Sequence, residues 1–504
     1  MKINGGKGTA AETESSTPRQ CSDFPAGPGI FGHYDPAGYF CEMFGRPGHL
    51  ATHTSAIVER LGALPLADLR RRYAAAEREL LNFGITFTVY SEKGQTDSIL
   101  PFDVIPRVIS ALEWRKIETG VEQRVKAINL FLNDVYHRQK IIKDGIIPAD
   151  LVFTNANYRR EMQDFDVPLG SYTQICGVDL VRGDDGEFRV LEDNVRTPSG
   201  VSYVIENRHL TRRAFPDLRR HFALRRVSDY GERLIDSLVE LAPNGITSPQ
   251  VVLLSAGTYN SAYFEHVFLA QEVGVPMVEG RDLFVDANHV FMKTINGPQP
   301  VHVIYRRIDD ACLDPNVFNA ESVLGVKGLM SAYQAGNVTL ANAVGTGIAD
   351  DKAIYAYMPQ IIRYYLGEEP LLPNVETHVC RDKEGLAYTL AHIKDLVIKP
   401  VGASGGYGII IGPRASHRKL EACRANLRAN PQNFISQSLV NLSVCPTLIN
   451  RRIEPRHVDL RPFVISGRST WVLPGGLTRV ALRKDSLVVN SSQGGGSKDT
   501  WVLE

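Results

Sequence analysis

Apolar residues recur three and four positions apart through Ala56–Leu61 and Leu66–Leu81, and again at Val125, Ile128, Leu132 and Val135 within Gln123–Tyr136. That spacing is the signature of amphipathic helices and predicts a mainly helical stretch over residues 55–145. The pattern then changes. Cys176–Val181 and Phe188–Glu192 flank the turn Gly183-Asp184-Asp185-Gly186, which predicts a β-hairpin. A helical run, Arg225–Leu241, stops at Pro243-Asn244-Gly245. Val251–Leu254, a short loop, a helix over Ala262–Val273 and a strand at Pro276–Val278 follow in the order of a small parallel α/β unit. The last third alternates short strands and turns: Leu396–Lys399, Gly408–Ile411, Phe434–Gln437, Leu460–Ile465 and Thr470–Leu473. Residues 1–30 carry Gly, Pro and Ser without periodicity and are expected to be disordered. No repeat of fixed period is present.

Composition narrows the classes. The 504 residues suffice for about three domains, and 43% hydrophobic with 22% charged residues is the balance of a globular protein. Lys+Arg and Asp+Glu are both 56. No global field exists to hold nucleic acid or an anionic membrane, so neither is expected as a partner and any anion site is local. No apolar run is long enough to span a bilayer, and the N-terminus lacks a signal-peptide core. Seven cysteines without a C-x-x-C pair predict reduced thiols and a cytoplasmic protein.

The sharpest chemical signal is Val397-Ile398-Lys399-Pro400-Val401-Gly402-Ala403-Ser404-Gly405-Gly406-Tyr407-Gly408, with four glycines in seven residues between two apolar strands. Glycines let successive backbone N–H groups converge on one anion, usually phosphate. Lys399 ends the entering strand and can reach the same phosphates. A flexible hairpin tip has the same composition. The order is neither a P-loop nor a Rossmann fingerprint, because the lysine precedes the glycines and a strand follows them.

The second signal is Asp179 on the first hairpin strand with Glu192-Asp193-Asn194 on the second. Residues two apart on a strand share a face. Glu192 and Asn194 therefore project together, and Asp179 lies within cross-strand reach. Two carboxylates and an amide oxygen form a hard ligand set suited to Mg²⁺, although solvated hairpin acids look the same. Arg461, in Asp459-Leu460-Arg461, and Arg479 sit in the strand-rich C-terminal third, ahead of the loop Asn490–Gly496. Guanidinium groups suit phosphates and oxyanions, and some arginines fall on strands by chance.

Together these motifs resemble the ATP-grasp superfamily in circularly permuted order. Lys399, Gly402–Gly408, Gln437-Ser438-Leu439-Val440, Asp459-Leu460-Arg461, Arg479 and Asn490–Gly496 follow the superfamily's sequence of motifs, whereas Asp179, Glu192 and Asn194, usually last, come first. The chain is similar to the circularly permuted ATP-grasp type 2 proteins, a bacterial family related to glutathionylspermidine synthase. Tyr305-Arg306-Arg307-Ile308-Asp309-Asp310 and Asn342-Ala343-Val344-Gly345-Thr346-Gly347-Ile348-Ala349-Asp350-Asp351-Lys352 share in the likeness. Gln437 departs from the acidic residue often found at the adenine hinge.

The resemblance implies an α/β (α+β) fold: a circularly permuted ATP-grasp with a small parallel α/β domain and an N-terminal helical region. The expected division is 1–30 disordered, 31–150 helical, 151–245 metal-binding half, 246–390 pre-ATP-grasp α/β domain and 391–504 ATP-binding half. The implied activity is ATP-dependent ligation of a carboxylate to an amine through an acyl phosphate, on small-molecule or peptide substrates. ATP contacts would come from Lys399, Gly402, Ser404, Gly405, Gly406, Tyr407, Gly408, Gln437, Leu439 and Asn490. Mg²⁺ ligands would be Asp179, Glu192 and Asn194, and Arg461, Arg479 and Arg306 would serve catalysis. Asp350-Asp351-Lys352 opens a helix and serves at least as its cap. A phosphotransferase and a non-catalytic nucleotide-binding scaffold are the alternative readings. The sequence specifies neither the substrates nor the oligomeric state.

Overall fold

The 26-residue helix Ala111–Tyr136 runs through the largest core. Ser110 and Glu113 start it with a capping box: the Glu113 N–H donates to the Ser110 hydroxyl, and the Ser110 N–H donates to the Glu113 carboxylate. Trp114, Ile117, Val121, Val125, Ile128, Leu132 and Val135 are buried along it, the stripe that the periodicity predicts. The structure, a computed structural model, describes residues 27–46, 51–91, 94–402, 408–484, 486–487, 489 and 494–504.

The helices Ser55–Gly62 and Leu66–Asn82 lie where the pattern puts them. The strands Thr86–Ser91, Gly94–Ile99 and Phe102–Ile109 were expected to be helical. Phe102–Ile109 is buried along its whole length, so it lacks the alternation that marks a half-exposed strand. It pairs in parallel with Gly496–Val502, which pairs antiparallel with Thr478–Val480.

The acid hairpin is as expected, with Ile175–Arg182 antiparallel to Phe188–Asn194. Its first strand also pairs with Phe463–Ser466, which pairs in turn with Thr470–Val472. One sheet therefore joins residues 175–194 to the last third of the chain. The α/β unit is a four-stranded parallel sheet in the order Thr339–Ala341, Val303–Arg306, Val251–Leu254, Met277–Val278, with the helix Tyr263–Val273 between its first two strands in sequence. The helix predicted from Arg225 spans Tyr230–Glu240. Arg225 instead donates its N–H to the Val502 carbonyl at 3.0 Å and pairs its guanidinium with Glu118.

The glycine-loop lysine lies on an antiparallel sheet ordered Thr377–Val379, Phe434–Ser438, Leu396–Pro400, Ile410–Ile411. Its separate small core includes Cys380, Ile393, Leu396, Ile398, Leu420 and Leu427. Thr377–Val379 joins this sheet although it lies within the 246–390 stretch. Among the described residues no helix is long and apolar enough to cross a membrane.

Candidate active site

Register builds the site. Asp179 stands opposite Glu192, and Gly177 opposite Asn194. Alternation sends Asp193 to the other face, where the buried Arg124 grips it through Nε at 2.7 Å and Nη2 at 2.8 Å. Glu192 and Asn194 line a cavity of about 450 Å³, together with Arg461, Arg479, Lys352, Gly402 and the turn Thr197–Gly200.

Asp179 is the hub of a buried charge network. Arg461 donates Nε to its Oδ1 and Nη2 to its Oδ2, the latter at 2.8 Å, and Arg479 Nη2 donates to Oδ2 at 2.7 Å. Arg479 Nε also meets both oxygens of Asp459 at 3.0 Å. Burial pushes the Asp179 carboxyl up, but Arg461 and then Arg479 outweigh it and hold the group well below the carboxylate range. Glu192 goes the other way: burial and the neighbouring Asp179 charge raise it, against Lys352 and Lys399. Its carboxylate lies 3.7 Å from the Lys352 ammonium, an ion pair too long for a hydrogen bond. Lys399 is buried at the end of its strand. Burial lowers its ammonium to about 8, with Glu192 the leading opposing influence.

The turn before the helix Val201–Ala214 is held from below. Gly200 has φ +115°, and a Cβ there would sit 2.7 Å from Leu477 Cδ2, so only glycine fits. Arg307 donates to the Pro198 carbonyl at 2.7 Å, the Ser199 hydroxyl at 2.6 Å and Glu265 at 2.9 Å. Glu265 accepts the Gly200 N–H at 2.6 Å. Arg306, expected in a catalytic role, does not line the cavity. Strand neighbours point to opposite faces, and its guanidinium is committed to the carbonyls of Asn342, Ile308 and Ala343 and to Asp310.

Residues 106–481 match the circularly permuted ATP-grasp type 2 family. The chain belongs to that family. An uncharacterized protein of Synechocystis is 48% identical over 94% of this chain and 98% of its own length. An uncharacterized protein of Mycobacterium tuberculosis is also 48% identical, over 94% of this chain and 86% of its own. A Frankia casuarinae protein provisionally named glutamate–cysteine ligase 2-2 is 40% identical over 98% of this chain, which spans 57% of that protein. The apo structure of a glutathione synthetase-like effector, GSS30 of Globodera pallida, superposes with a TM-score of 0.57 at 11% identity, covering 87% of this chain and 98% of that one; it speaks to fold alone.

ATP-grasp proteins generally bind ATP with Mg²⁺, and the donor set can be tested against that. Asn194 Nδ2 is buried without a hydrogen-bond partner. Amide nitrogen and oxygen exchange by rotation, so the unpartnered end can present oxygen. With Glu192 it makes a hard-oxygen pair on the cavity wall that fits Mg²⁺. Asp179 has three guanidinium contacts on two oxygens, which weighs against a metal role and favours that of anchor for Arg461 and Arg479. Among the described residues no three His, Cys, Asp or Glu cluster as a metal site.

The other expected contacts divide. Gln437 is buried on Phe434–Ser438, with Nε2 on Thr377 Oγ1 at 3.1 Å and Oε1 unpartnered. Leu439 follows the strand, half-buried. Gly402 lines the cavity, and Gly408 takes φ +75° over Pro400. Ser404, Gly405, Gly406, Tyr407 and Asn490 lie outside the described residues. In the sequence Lys352 is marked only as part of a helix start. Asp351 does cap that helix, accepting the Ala353 N–H at 2.7 Å, and the cap points Lys352 toward Glu192. The Asp-Asp-Lys order was the available signal.

Proposed function

We propose that this chain is an ATP-dependent carboxylate–amine ligase that works through an acyl phosphate and releases ADP and phosphate. Its leading support is the convergence on one cavity of Glu192 and Asn194 from the hairpin, Lys352 from the α/β unit, Gly402 beside Lys399, and Arg461 with Arg479. The name of the Frankia relative, an amino-acid ligase, agrees with amide formation, although that name belongs to a protein this chain only partly spans.

In this reading Lys399 and Lys352 bind the ATP phosphates. Glu192 and Asn194 would hold Mg²⁺, which when bound neutralises charge on the phosphate oxygens. A substrate carboxylate oxygen attacks the γ-phosphorus, and the bond to ADP breaks. An amine nitrogen then attacks the carbonyl carbon, loses its proton, and expels phosphate to leave the amide. Arg461 faces the tetrahedral oxyanion. It is already oriented by Asp179 and by the Ser199 carbonyl at 3.1 Å, so little reorganisation is needed during the reaction. A donor held in this way is worth roughly 3 kcal/mol.

The test is incubation with ATP, Mg²⁺ and pools of amino acids, polyamines and short peptides, with hydroxylamine added to trap an acyl phosphate as the hydroxamate. ADP, phosphate and hydroxamate are expected. AMP with pyrophosphate would rule the scheme out, and a stable phosphorylated product without phosphate release would make the chain a phosphotransferase.

A further inference from the structure

A second cavity, of about 640 Å³, opens between the N-terminal segment and the hairpin formed by Val444–Ile449 and Arg452–His457. It shares no residue with the cavity around Glu192. Four exposed cations rim it: Arg451 and Arg452 at the hairpin turn, and Arg483 and Lys484 after the strand Thr478–Val480. None of the four has a carboxylate within 4.0 Å among the described residues. Of the two acids in the wall, one is paired with a cation and the other keeps its charge. Glu454 pairs with Arg456 at 2.6 Å, and Asp35 accepts the N–H of Ala37 at 2.8 Å. Like charges around a concave surface repel, and field lines concentrate there. In a chain with as many acids as bases, five cations against two carboxylates in this wall leave a local excess of positive charge.

The floor is apolar and includes Leu66, Val444, Ile453 and Tyr39, whose ring packs edge-on against His457 at 4.6 Å between centroids. Guanidinium forks match the oxygens of phosphate or carboxylate two at a time. A cavity of this volume with an apolar floor takes a small molecule rather than a polymer backbone. We infer that this groove binds a small, multiply charged oxyanion, a polyphosphate or polycarboxylate, that carries an apolar body. The strand Arg452–His457 leads from the groove to Asp459, which holds Arg479. The site therefore adjoins the proposed catalytic network without depending on it.

Titration calorimetry at low salt tests this with ADP, pyrophosphate and citrate as probes, on the intact chain, R451E/R452E, R451K/R452K and K399A. The intact chain is expected to bind two equivalents of ADP. R451E/R452E should weaken one of them at least tenfold and K399A the other, while R451K/R452K retains both. Pyrophosphate binding more tightly than citrate assigns the site to phosphates, and the reverse assigns it to carboxylates; ADP binding above pyrophosphate reports the apolar floor. If the ligase reading is wrong, a single equivalent sensitive only to R451E/R452E remains. The proposal is overturned if charge reversal, with the far-UV spectrum unchanged, leaves every probe's affinity intact, or if all binding disappears in K399A.

Discussion

At the residue scale, the site separates two carboxylates by their neighbours. Arg461 and Arg479 keep Asp179 ionised, while Glu192 is raised by burial and by Asp179 itself. A carboxylate whose charge is disfavoured by burial and by Asp179 gains from a cation placed against it. Replacing Glu192 with Gln should therefore cost roughly 10–100-fold in Mg²⁺-dependent nucleotide affinity, with little change in metal-free binding; equal Mg²⁺ dependence in both proteins would remove Glu192 from the metal site. Lys399 gives a pH signature. Its ammonium is lowered to about 8 by burial, whereas an unfolded lysine titrates near 10.4. Between these values the unfolded chain holds a proton that folded Lys399 has released, so this group's contribution to stability rises with pH across that window. Phosphate binding acts in the opposite direction, because it favours the ammonium. Nucleotide binding above pH 8 should take up a proton and weaken by up to about tenfold per pH unit. Buffer-dependent calorimetry measures the uptake, and Lys399→Arg, which stays charged, should lose it. A flat profile from pH 7 to 10 in the unaltered protein would show that Lys399 does not meet the phosphates.

At the element scale, the cap on the helix Lys352–Ala356 carries more than its length suggests. Asp351 accepts the Ala353 and Ile354 N–H groups, and this fixes where Lys352 leaves the backbone. Asp351→Ala should cost about 0.5–2 kcal/mol in urea unfolding and raise the KM for ATP. Asp351→Asn, which still caps, should restore stability and KM together. A stability loss with an unchanged KM would separate the cap from the site. The same helix start shows what was legible in the sequence. Strong periodicity marked the long helix to Tyr136, the turn Gly183–Gly186 marked the acid hairpin, and the two-residue strand period gave the shared face of Glu192 and Asn194. Phe102–Ile109 was hidden because it is buried on both faces and buries Asp103 and Arg107 as well, so no alternation of apolar and polar positions marks it. The burial of Arg306 away from the cavity was hidden for a different reason. Its guanidinium is taken up by the carbonyls of Asn342 and Ala343, more than thirty positions later in the chain, and local sequence does not show that approach.

At the scale of the whole molecule, the cavity belongs to no single stretch of chain. Its walls come from the hairpin at Glu192–Asn194, the α/β unit at Glu265 and Lys352, the glycine-loop sheet at Val401–Gly402, and the C-terminal strands at Arg461–Arg479. Pairing of Ile175–Arg182 with Phe463–Ser466 makes two of these walls one rigid sheet. The glycine-loop sheet has its own small core and meets the rest across the cavity. A ligand that touches both sides couples the local stability of one to that of the other. A nonhydrolysable ATP analogue with Mg²⁺, at 100 times its Kd, should stabilise the fold by about 2.7 kcal/mol. Hydrogen exchange should slow in both Phe188–Asn194 and Leu396–Pro400, and Mg²⁺ should add to the protection of the first strand more than of the second. Protection of Leu396–Pro400 alone would mean that the nucleotide sits on the glycine-loop sheet without reaching the acids. The two sides would then not act on one triphosphate, and the ligase assignment would lose its geometric basis.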